Sequence, residues 1–337
     1  MKTVRVGIVG YGKVASRSHR RWILERSDTE LAAICDTTAV RRDAAAEDNP
    51  DTTIYQEYDD LIGDPRIDLI VITTPPSSHR DLSIRASAAG KHVFVDKPFA
   101  MNLSEAEAML EAAAKASRVI HCHQSRRYDP EYVRIAGLVA SGKIGKLEHV
   151  RRIWSQYGEG WTSWGIDGFN PTWRIQREFG GGMVYDYAPH CGDQILRLVD
   201  DELISVYADV RGLKFSNEVD DHFSCMFRFA NGATAYLEAS NMAQLSAPHW
   251  YVMGSEGCIT ANEVKGAVTL KRSDSEQELF EPIDQIGDLY ENLIASCRGE
   301  AAPNVTPGEL RESMAMIDAI FDSARSGAAT TPGAARN

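Results

Sequence analysis

Val4-Arg5-Val6-Gly7-Ile8-Val9 runs directly into Gly10-Tyr11-Gly12-Lys13-Val14-Ala15. A G-x-G-x-x-G/A turn holds a dinucleotide only where it joins a buried strand to a helix. Here it follows an apolar run and precedes a helical pattern from about Val14 to Glu25. Gly10 permits the tight turn, Gly12 lets the backbone approach a pyrophosphate, and the small Ala15 lets the helix pack on the strand. The helix N-terminus then aims its N–H groups at phosphate. About 20 residues on, where the motif expects an acid, the second apolar run Leu31–Cys35 ends in Asp36. A carboxylate there hydrogen-bonds a ribose 2′-OH. Glycines alone would be an ordinary turn; strand, helix, second strand and acid in order predict a nucleotide site.

Outward from that stretch, strand-like and helical patterns alternate. Ile67–Thr73, His92–Asp96 and Val119–His123 read as buried parallel strands. Between the first two lies a helical stretch from about Ser78 to Ala89, closed by Gly90, and Asn102 with Glu105 forms a capping arrangement for a helix to about Ser117. Such alternation predicts a doubly wound parallel sheet. After Arg127 the rhythm changes. Pro130–Ala140 reads as a linking helix, Leu147–Tyr157 as a strand and Trp161–Pro171 as a long loop. Gly180-Gly181-Gly182 opens a helix to about Leu198. Beyond Leu203 the pattern is antiparallel, with Asn231-Gly232 as a hairpin turn between Asp221–Phe229 and Thr234–Asn241. Helices near Ile283–Ser296 and Pro307–Ser326 close the chain. The expected division is 1–126, a nucleotide domain; 127–303, a second α+β domain; 304–326, a helix returning to the first; and 327–337, a disordered tail.

At 337 residues two domains are the natural expectation. A net charge of −12 argues against nucleic acid and anionic membrane as partners, because both require clustered Lys and Arg. The six cysteines are scattered without a C-x-x-C pair and sit mostly in apolar runs, as reduced thiols do. A strand that begins at Val4 leaves no room for a signal peptide, and no run approaches the ~18 apolar residues of a membrane span. A cytoplasmic location is expected.

Two constellations carry chemistry. Asp96-Lys97-Pro98 lies at the carboxyl end of a strand, where ligands of open α/β sheets bind, so Lys97 is either in the cofactor crevice or a solvated strand-end lysine. Asp186, His190 and Asp193 fall at i, i+4 and i+7 of a helix behind the triple glycine. Histidine accepts protons near neutral pH, and a carboxylate one turn away orients it. A structural pair and a metal site compete with that reading, since these residue types also bind zinc or manganese. His121 and His123 share a strand face and raise the same question; core packing is the reading preferred for them, and no metal is expected.

Taken together, Gly10–Ala15, Thr74-Pro75-Pro76-Ser77-Ser78-His79, Ala89–Val93, Asp96-Lys97-Pro98 and Gly180–Asp193 resemble, in order and spacing, the Gfo/Idh/MocA oxidoreductases over almost the whole chain. The resemblance implies an α/β Rossmann domain with a parallel sheet, joined to an α+β domain with a large open, mostly antiparallel sheet. It also implies NAD(P)-dependent oxidation or reduction of a sugar, sugar derivative or cyclic polyol. The family's E-K-P lysine maps onto Lys97, with Asp96 in place of the glutamate, and its D-x-x-x-H pair onto Asp186 and His190. These three are the expected catalytic residues.

Cofactor contacts are expected from Gly10, Tyr11, Gly12, Lys13, Val14, Ala15, Asp36, Arg41, Thr73, Thr74, Pro75, Pro76, His79, Asp96, Lys97 and Gln124. Arg127, Tyr157, Trp173 and Arg174 are expected to join the catalytic three at the substrate. Trp161 and Trp164 fit stacking on a sugar, or simple loop packing. Asp36 favours NAD, while Arg41 keeps NADP open. Two rivals share the fold: an NAD-dependent glycosidase or lyase that oxidises its substrate only transiently, and a non-enzymatic sensor. A homodimer or homotetramer through the second-domain sheet is expected, because Asp221–Phe229 and its hairpin partner are too apolar for two solvated faces.

Overall fold

A computed structural model describes residues 3–158, 172–273, 275–283 and 289–333. The chain forms two compact units, one of residues 1–123, 160–180 and 289–311, the other of 124–159, 181–288 and 312–337.

The first unit carries β1 (Val4–Val9), β2 (Thr29–Cys35), β3 (Thr53–Tyr55), β4 (Leu69–Ile72), β5 (His92–Val95) and β6 (Ile120–Cys122). They form one parallel sheet in the order β3-β2-β1-β4-β5-β6. The order reverses between β1 and β4, so a crevice opens at their carboxyl ends. Every residue of β4 is buried, as a strand covered on both faces requires. The helix Leu103–Lys115 opens as expected: Asn102 Oδ1 accepts the Glu105 N–H at 2.9 Å, and Glu105 Oε2 accepts the Met101 N–H at 3.1 Å. The helix after the glycine turn differs from expectation. It begins as a π-helical turn, Ala15–His19, before the α-helix Arg20–Glu25, and His19 is turned wholly inward.

The second unit carries β7 (Leu147–Ser155), β8 (Leu203–Arg211), β9 (His222–Phe229), β10 (Thr234–Ser240), β11 (Trp250–Gly254), β12 (Gly257–Ala261), β13 (Val268–Arg272) and β14 (Glu278–Phe280). The order is β14-β13-β12-β11-β7-β10-β9-β8, antiparallel except where β10 runs parallel to β7. Phe223, Cys225, Phe227 and Phe229 are buried on the inner face. In the turn to β10, Asn231 Oδ1 accepts the Ala233 N–H at 2.9 Å and Gly232 takes a φ of +90°.

The helix expected as one piece from the glycines to Leu198 is interrupted. Met183–Tyr187 and Asp193–Val199 are α-helical, and Ala188–Gly192 between them is a π-helical turn. Pro189 supplies the reason, since it has no N–H to donate to the preceding turn. The wider turn changes the phase, so Asp186, His190 and Asp193 do not form one α-helical stripe. The C-terminal helix Pro307–Ser326 also departs from expectation. From Glu312 onward it belongs to the second unit, where Ser323 Oγ accepts the Ala208 N–H at 2.9 Å and Met316 packs against Gly192. The tail is ordered as far as it is described, because Thr330 and Val206 exchange backbone hydrogen bonds at 2.8 Å. The Trp161–Pro171 stretch lies outside the described residues.

Candidate active site

In the first unit the carboxyl ends of β1, β2, β4, β5 and β6 gather most of the expected cofactor residues. Gly10 has a φ of +88°, and a Cβ there would meet the Thr74 backbone N at 3.0 Å, so only glycine allows this approach between the ends of β1 and β4. Gly12 is different: its conformation is unstrained, and the nearest atom to a Cβ built on it is Arg41 Nη1, 3.5 Å away. A side-chain carbon could stand at Gly12 without a clash, in van der Waals contact with Arg41. Around that opening stand cations. Burial lowers the Lys13 pKa, and the positive charges of Arg17 and Arg174 lower it further, so three cations face one another beside the turn. Backbone with Lys13, Arg17, Arg41 and Arg174 around it fits a dinucleotide pyrophosphate, whose negative charge suits these side chains. Gly180, with a φ of +79°, brings the Thr172–Gly180 segment close to the strand ends, a built Cβ falling 2.9 Å from Pro76 and 2.6 Å from Met101 Sδ.

Several expected residues act differently from the sequence reading. The Tyr11 side chain turns into the core, where its hydroxyl donates to Asp48 at 2.7 Å; burial, then Asp48, pushes its pKa up to about 12. Asp36 is 6% exposed, with Oδ2 accepting the Tyr11 N–H at 2.7 Å and Oδ1 the Thr38 N–H at 2.8 Å. The acid therefore pins the glycine turn to the end of β2 and keeps only its remaining lone pairs for a ribose. Thr73 Oγ1 donates to the Gly10 carbonyl at 2.5 Å, and Thr74 pairs with Ser78. His79 is buried with its ring nitrogens 2.9 Å from the carbonyls of Thr74 and Pro98, so it ties the β4 and β5 loops together rather than facing a ligand. Burial lowers its pKa. Asp96 Oδ1 accepts the Lys97 N–H at 2.9 Å and the His123 Nδ1 hydrogen at 3.0 Å. Arg174 lies over the Trp173 ring at 4.4 Å.

In the second unit, Asp186 and His190 are half-buried, Asp186 in the first α-helical piece and His190 in the π-helical turn that follows it. Gly182, with a φ of +113°, admits the Asp220 carboxylate where a side chain would stand, and Asp220 Oδ2 accepts the Val184 N–H at 2.7 Å. Asp220 therefore caps the helix that carries Asp186. It is buried, and that burial, against the pull of the backbone N–H donors, raises its pKa to about 7. Arg127 is forked onto Asp193, Nε to Oδ2 at 2.7 Å and Nη2 to Oδ1 at 2.6 Å, and Asp193 is 1% exposed. The sequence reading gave Arg127 to the substrate; the structure engages its fork inside the protein. Tyr157 is exposed, and its hydroxyl accepts from Lys214 Nζ at 2.7 Å. Gln124 is buried at the start of this unit.

No motif pointed to Trp154, which carries the Arg126 guanidinium at 4.3 Å and packs on Tyr187 and His249 at 5.1 and 5.4 Å. Burial, then Arg152 and Arg126, holds the His249 pKa down to about 4. Trp154 sits on a strand whose alternation was legible, but nothing in spacing separates it from an ordinary sheet tryptophan. His19, Tyr290 and Asp220 escaped for the same reason, being single residues with no motif around them. No described helix is long and apolar enough to cross a membrane.

Two family models match the chain. One, described as an oxidoreductase family with an NAD-binding Rossmann fold, covers residues 4–124, and the other, a GFO/IDH/MocA C-terminal domain, covers 132–260. The chain is 32% identical over 260 residues to the uncharacterized oxidoreductase YdgJ of Escherichia coli K12, across 75% of this chain and 70% of that protein. It is 26% identical over 339 residues to 1,5-anhydro-D-fructose reductase of Ensifer adhaerens, across 96% and 97%. Among solved structures, an NAD-binding protein from Listeria innocua matches with a TM-score of 0.87 at 29% identity, covering 98% of this chain and 97% of that one. A glycine turn at the switch point of a 3-2-1-4-5-6 sheet, Asp96-Lys97 at the end of β5 and an eight-stranded second sheet agree with these matches: the chain belongs to the GFO/IDH/MocA family of oxidoreductases.

Proposed function

We propose that the protein is an NAD(P)-dependent dehydrogenase or reductase acting on a CH–OH carbon of a sugar, sugar derivative or cyclic polyol, with NAD(H) favoured. The observation that carries this reading is the unobstructed backbone at Gly12 with Lys13, Arg17, Arg41 and Arg174 around it, at the end of a strand two places from β5 and its Asp96-Lys97 turn. The likeness to 1,5-anhydro-D-fructose reductase supports the substrate class. The Gly10–Ala15 turn, with Lys13 and Arg174, holds the pyrophosphate, and Asp36 with Arg41 meets the adenosine ribose. The nicotinamide, when bound, accepts or gives the hydride at its C4.

The remaining chemistry belongs to side chains of this chain. Lys97 donates a hydrogen bond to the reacting oxygen and stabilises the negative charge that grows there, a contribution larger in the transition state than in the ground state. His190 takes the hydroxyl proton during oxidation and returns it during reduction. Asp186 orients His190 or a neighbouring hydroxyl, and Trp173 and Tyr157 contact the substrate.

The test is a panel of sugars and cyclic polyols, including myo-inositol, with NAD⁺ and NADP⁺, and of 1,5-anhydro-D-fructose with the reduced cofactors, followed by nicotinamide absorbance. Stoichiometric formation or loss of reduced cofactor is expected with at least one compound. Cleavage or elimination of a substrate without net change in cofactor would overturn the reading in favour of transient oxidation.

A further inference from the structure

Beneath the Asp96–Lys97 turn lies a buried cluster that the proposed mechanism does not use. It draws on four elements of the first unit: His19 from the π-helical turn after the glycines, Asp96 from the end of β5, His123 from just past β6, and Tyr290 from the helix Leu289–Cys297. Asp96 Oδ1 accepts from His123 Nδ1 at 3.0 Å and from the Lys97 N–H at 2.9 Å. His19 Nδ1 is hydrogen-bonded to the Tyr290 hydroxyl. The two imidazoles lie 4.6 Å apart, and Phe94 meets each ring edge-on at 5.6 Å. His19 is 0% exposed and His123 7%, and Nε2 of each lacks a hydrogen-bond partner. Burial, then the neighbouring His123, pulls the His19 pKa down to about 3. Burial alone would raise that of Asp96, but the His123 hydrogen bond and the positive charge around it, Lys97 included, hold it well below the usual carboxylate range.

Such a cluster is a poor way to gain stability. Each buried nitrogen without a partner has given up the hydrogen bond that water offered it, and apolar residues of similar volume often replace buried polar groups without loss. What it does provide is a fixed negative charge directly behind Lys97. We propose that His123, His19 and Tyr290 are positioning residues for Lys97: Tyr290 pins His19, His19 packs the His123 ring in place, and His123 holds the Asp96 carboxylate so that its charge and its hydrogen bond to the Lys97 N–H set the orientation of the lysine. The inference rests on the reading of Lys97 as the group that meets the reacting oxygen. A divalent cation is the competing use, since one ligand atom from each of His19, Asp96 and His123 lies within 4.8 Å of the others. The hydrogen bonds that Asp96 already accepts, with the Lys97 charge beside it, favour the positioning role.

The test uses the full-length protein and the variants His123→Phe, Asp96→Asn, Tyr290→Phe and His123→Gln. Lysines are trace-labelled with acetic anhydride and quantified by peptide mass spectrometry, with the exposed Lys115 as internal reference. Loss of the hydrogen bond that holds the carboxylate in His123→Phe, and of the charge itself in Asp96→Asn, is expected to change the Lys97-to-Lys115 labelling ratio by about threefold or more. Tyr290→Phe should move it less in the same direction, and His123→Gln, which keeps an N–H donor, should restore it. With a substrate from the panel, kcat should fall about tenfold in His123→Phe while the KM for NAD⁺ stays within about twofold.

Unchanged Lys97 labelling in folded variants, whatever their melting temperatures, would overturn the proposal. Tyr290→Phe removes a single oxygen, so it keeps the test decisive should the others fail to fold. Stoichiometric Zn²⁺ binding that His123→Phe abolishes would also overturn it, in favour of a metal site. Full turnover in Lys97→Met would instead sink the role given to Lys97, which the labelling reads independently.

Discussion

Replacing Asp36 by asparagine removes one negative charge from the end of β2 while leaving a carbonyl oxygen to accept one of the two N–H groups, of Tyr11 and Thr38, that the carboxylate holds. The second N–H then loses its partner, costing about 1–3 kcal/mol of local stability, so affinity for both cofactors should weaken together. Selectivity is a separate quantity. Two unit charges about 6 Å apart in an effective dielectric of about 20 repel by about 3 kcal/mol, and physiological salt screens the exposed part of that. A net change of about 1.5–2 kcal/mol is expected, which moves the NADP(H)-to-NAD(H) preference ten- to thirtyfold toward the phosphorylated form. Arg41, whose buried guanidinium feels Asp36 and stands at the Gly12 opening, works in the opposite sense, and Arg41→Ala should move preference back toward NAD(H). Dissociation constants for NADH and NADPH from fluorescence titration measure both effects without a substrate, and the Asp36→Asn shift should shrink at high salt. An unchanged ratio in Asp36→Asn, or a native preference for NADPH, would refute the reasoning.

Lys97→Met and His190→Ala should each retain cofactor affinity and lose turnover, His190→Ala by about 10²–10⁴-fold in kcat; near-native rates in both folded variants would return them to structural roles. Asp220 has a folded pKa of about 7 against an ordinary 3.8, so its contribution to stability is present below pH ~4 and lost as pH rises through ~7. Asp220→Asn should therefore flatten the pH dependence of urea unfolding between pH 4 and 8 and gain up to about 4 kcal/mol at pH 8, and an unchanged slope would exclude this. Asp193→Ala strands the Arg127 guanidinium and should cost about 3–5 kcal/mol, whereas Arg127→Met with Asp193→Leu should recover most of it. Tyr207, Met226, Tyr236, Arg151 and Tyr251 stand side by side across five strands on the outer sheet face, with Tyr207 52% and Met226 41% exposed. We expect that face to pair with a second copy, so light scattering should give a homodimer or homotetramer, and Met226→Glu with Tyr207→Glu should dissociate it.

The first sheet was legible because its signals are local. Each strand is a short apolar run ended by a turn residue, and strand, helix and strand follow one another, so right-handed crossovers leave few orders to choose from. The second sheet was legible only in kind. Alternation in Phe223–Phe229 and the Asn231-Gly232 turn fixed one hairpin, but the parallel pairing of β10 with β7 joins strands about 80 residues apart, and no turn chemistry announces it. Unit membership was harder still. Residues 172–180 and 289–311 cluster with the nucleotide unit although the chain has long since left it, and no composition shift marks either return.

The candidate site shows the same division between what a motif states and what packing decides. Gly10, Gly12 and Asp36 were readable because a tight turn, a close backbone approach and a strand-end acid each demand a residue type at a fixed spacing. The motif could not say that the Asp36 carboxylate spends two hydrogen bonds on its own backbone, or that Arg127 is held by Asp193. Spacing also assumed an unbroken α-helix from Asp186 to Asp193, although Pro189 between them was a visible warning. The π-helical turn around Pro189 separates the histidine from the structural acid: Asp193 is drawn into the core beneath Arg127, while His190 remains half-buried. Two acids with equal claims in the sequence thereby take different fates, Asp193 as a buried counter-ion and Asp186 as the half-buried acid three residues before the proline.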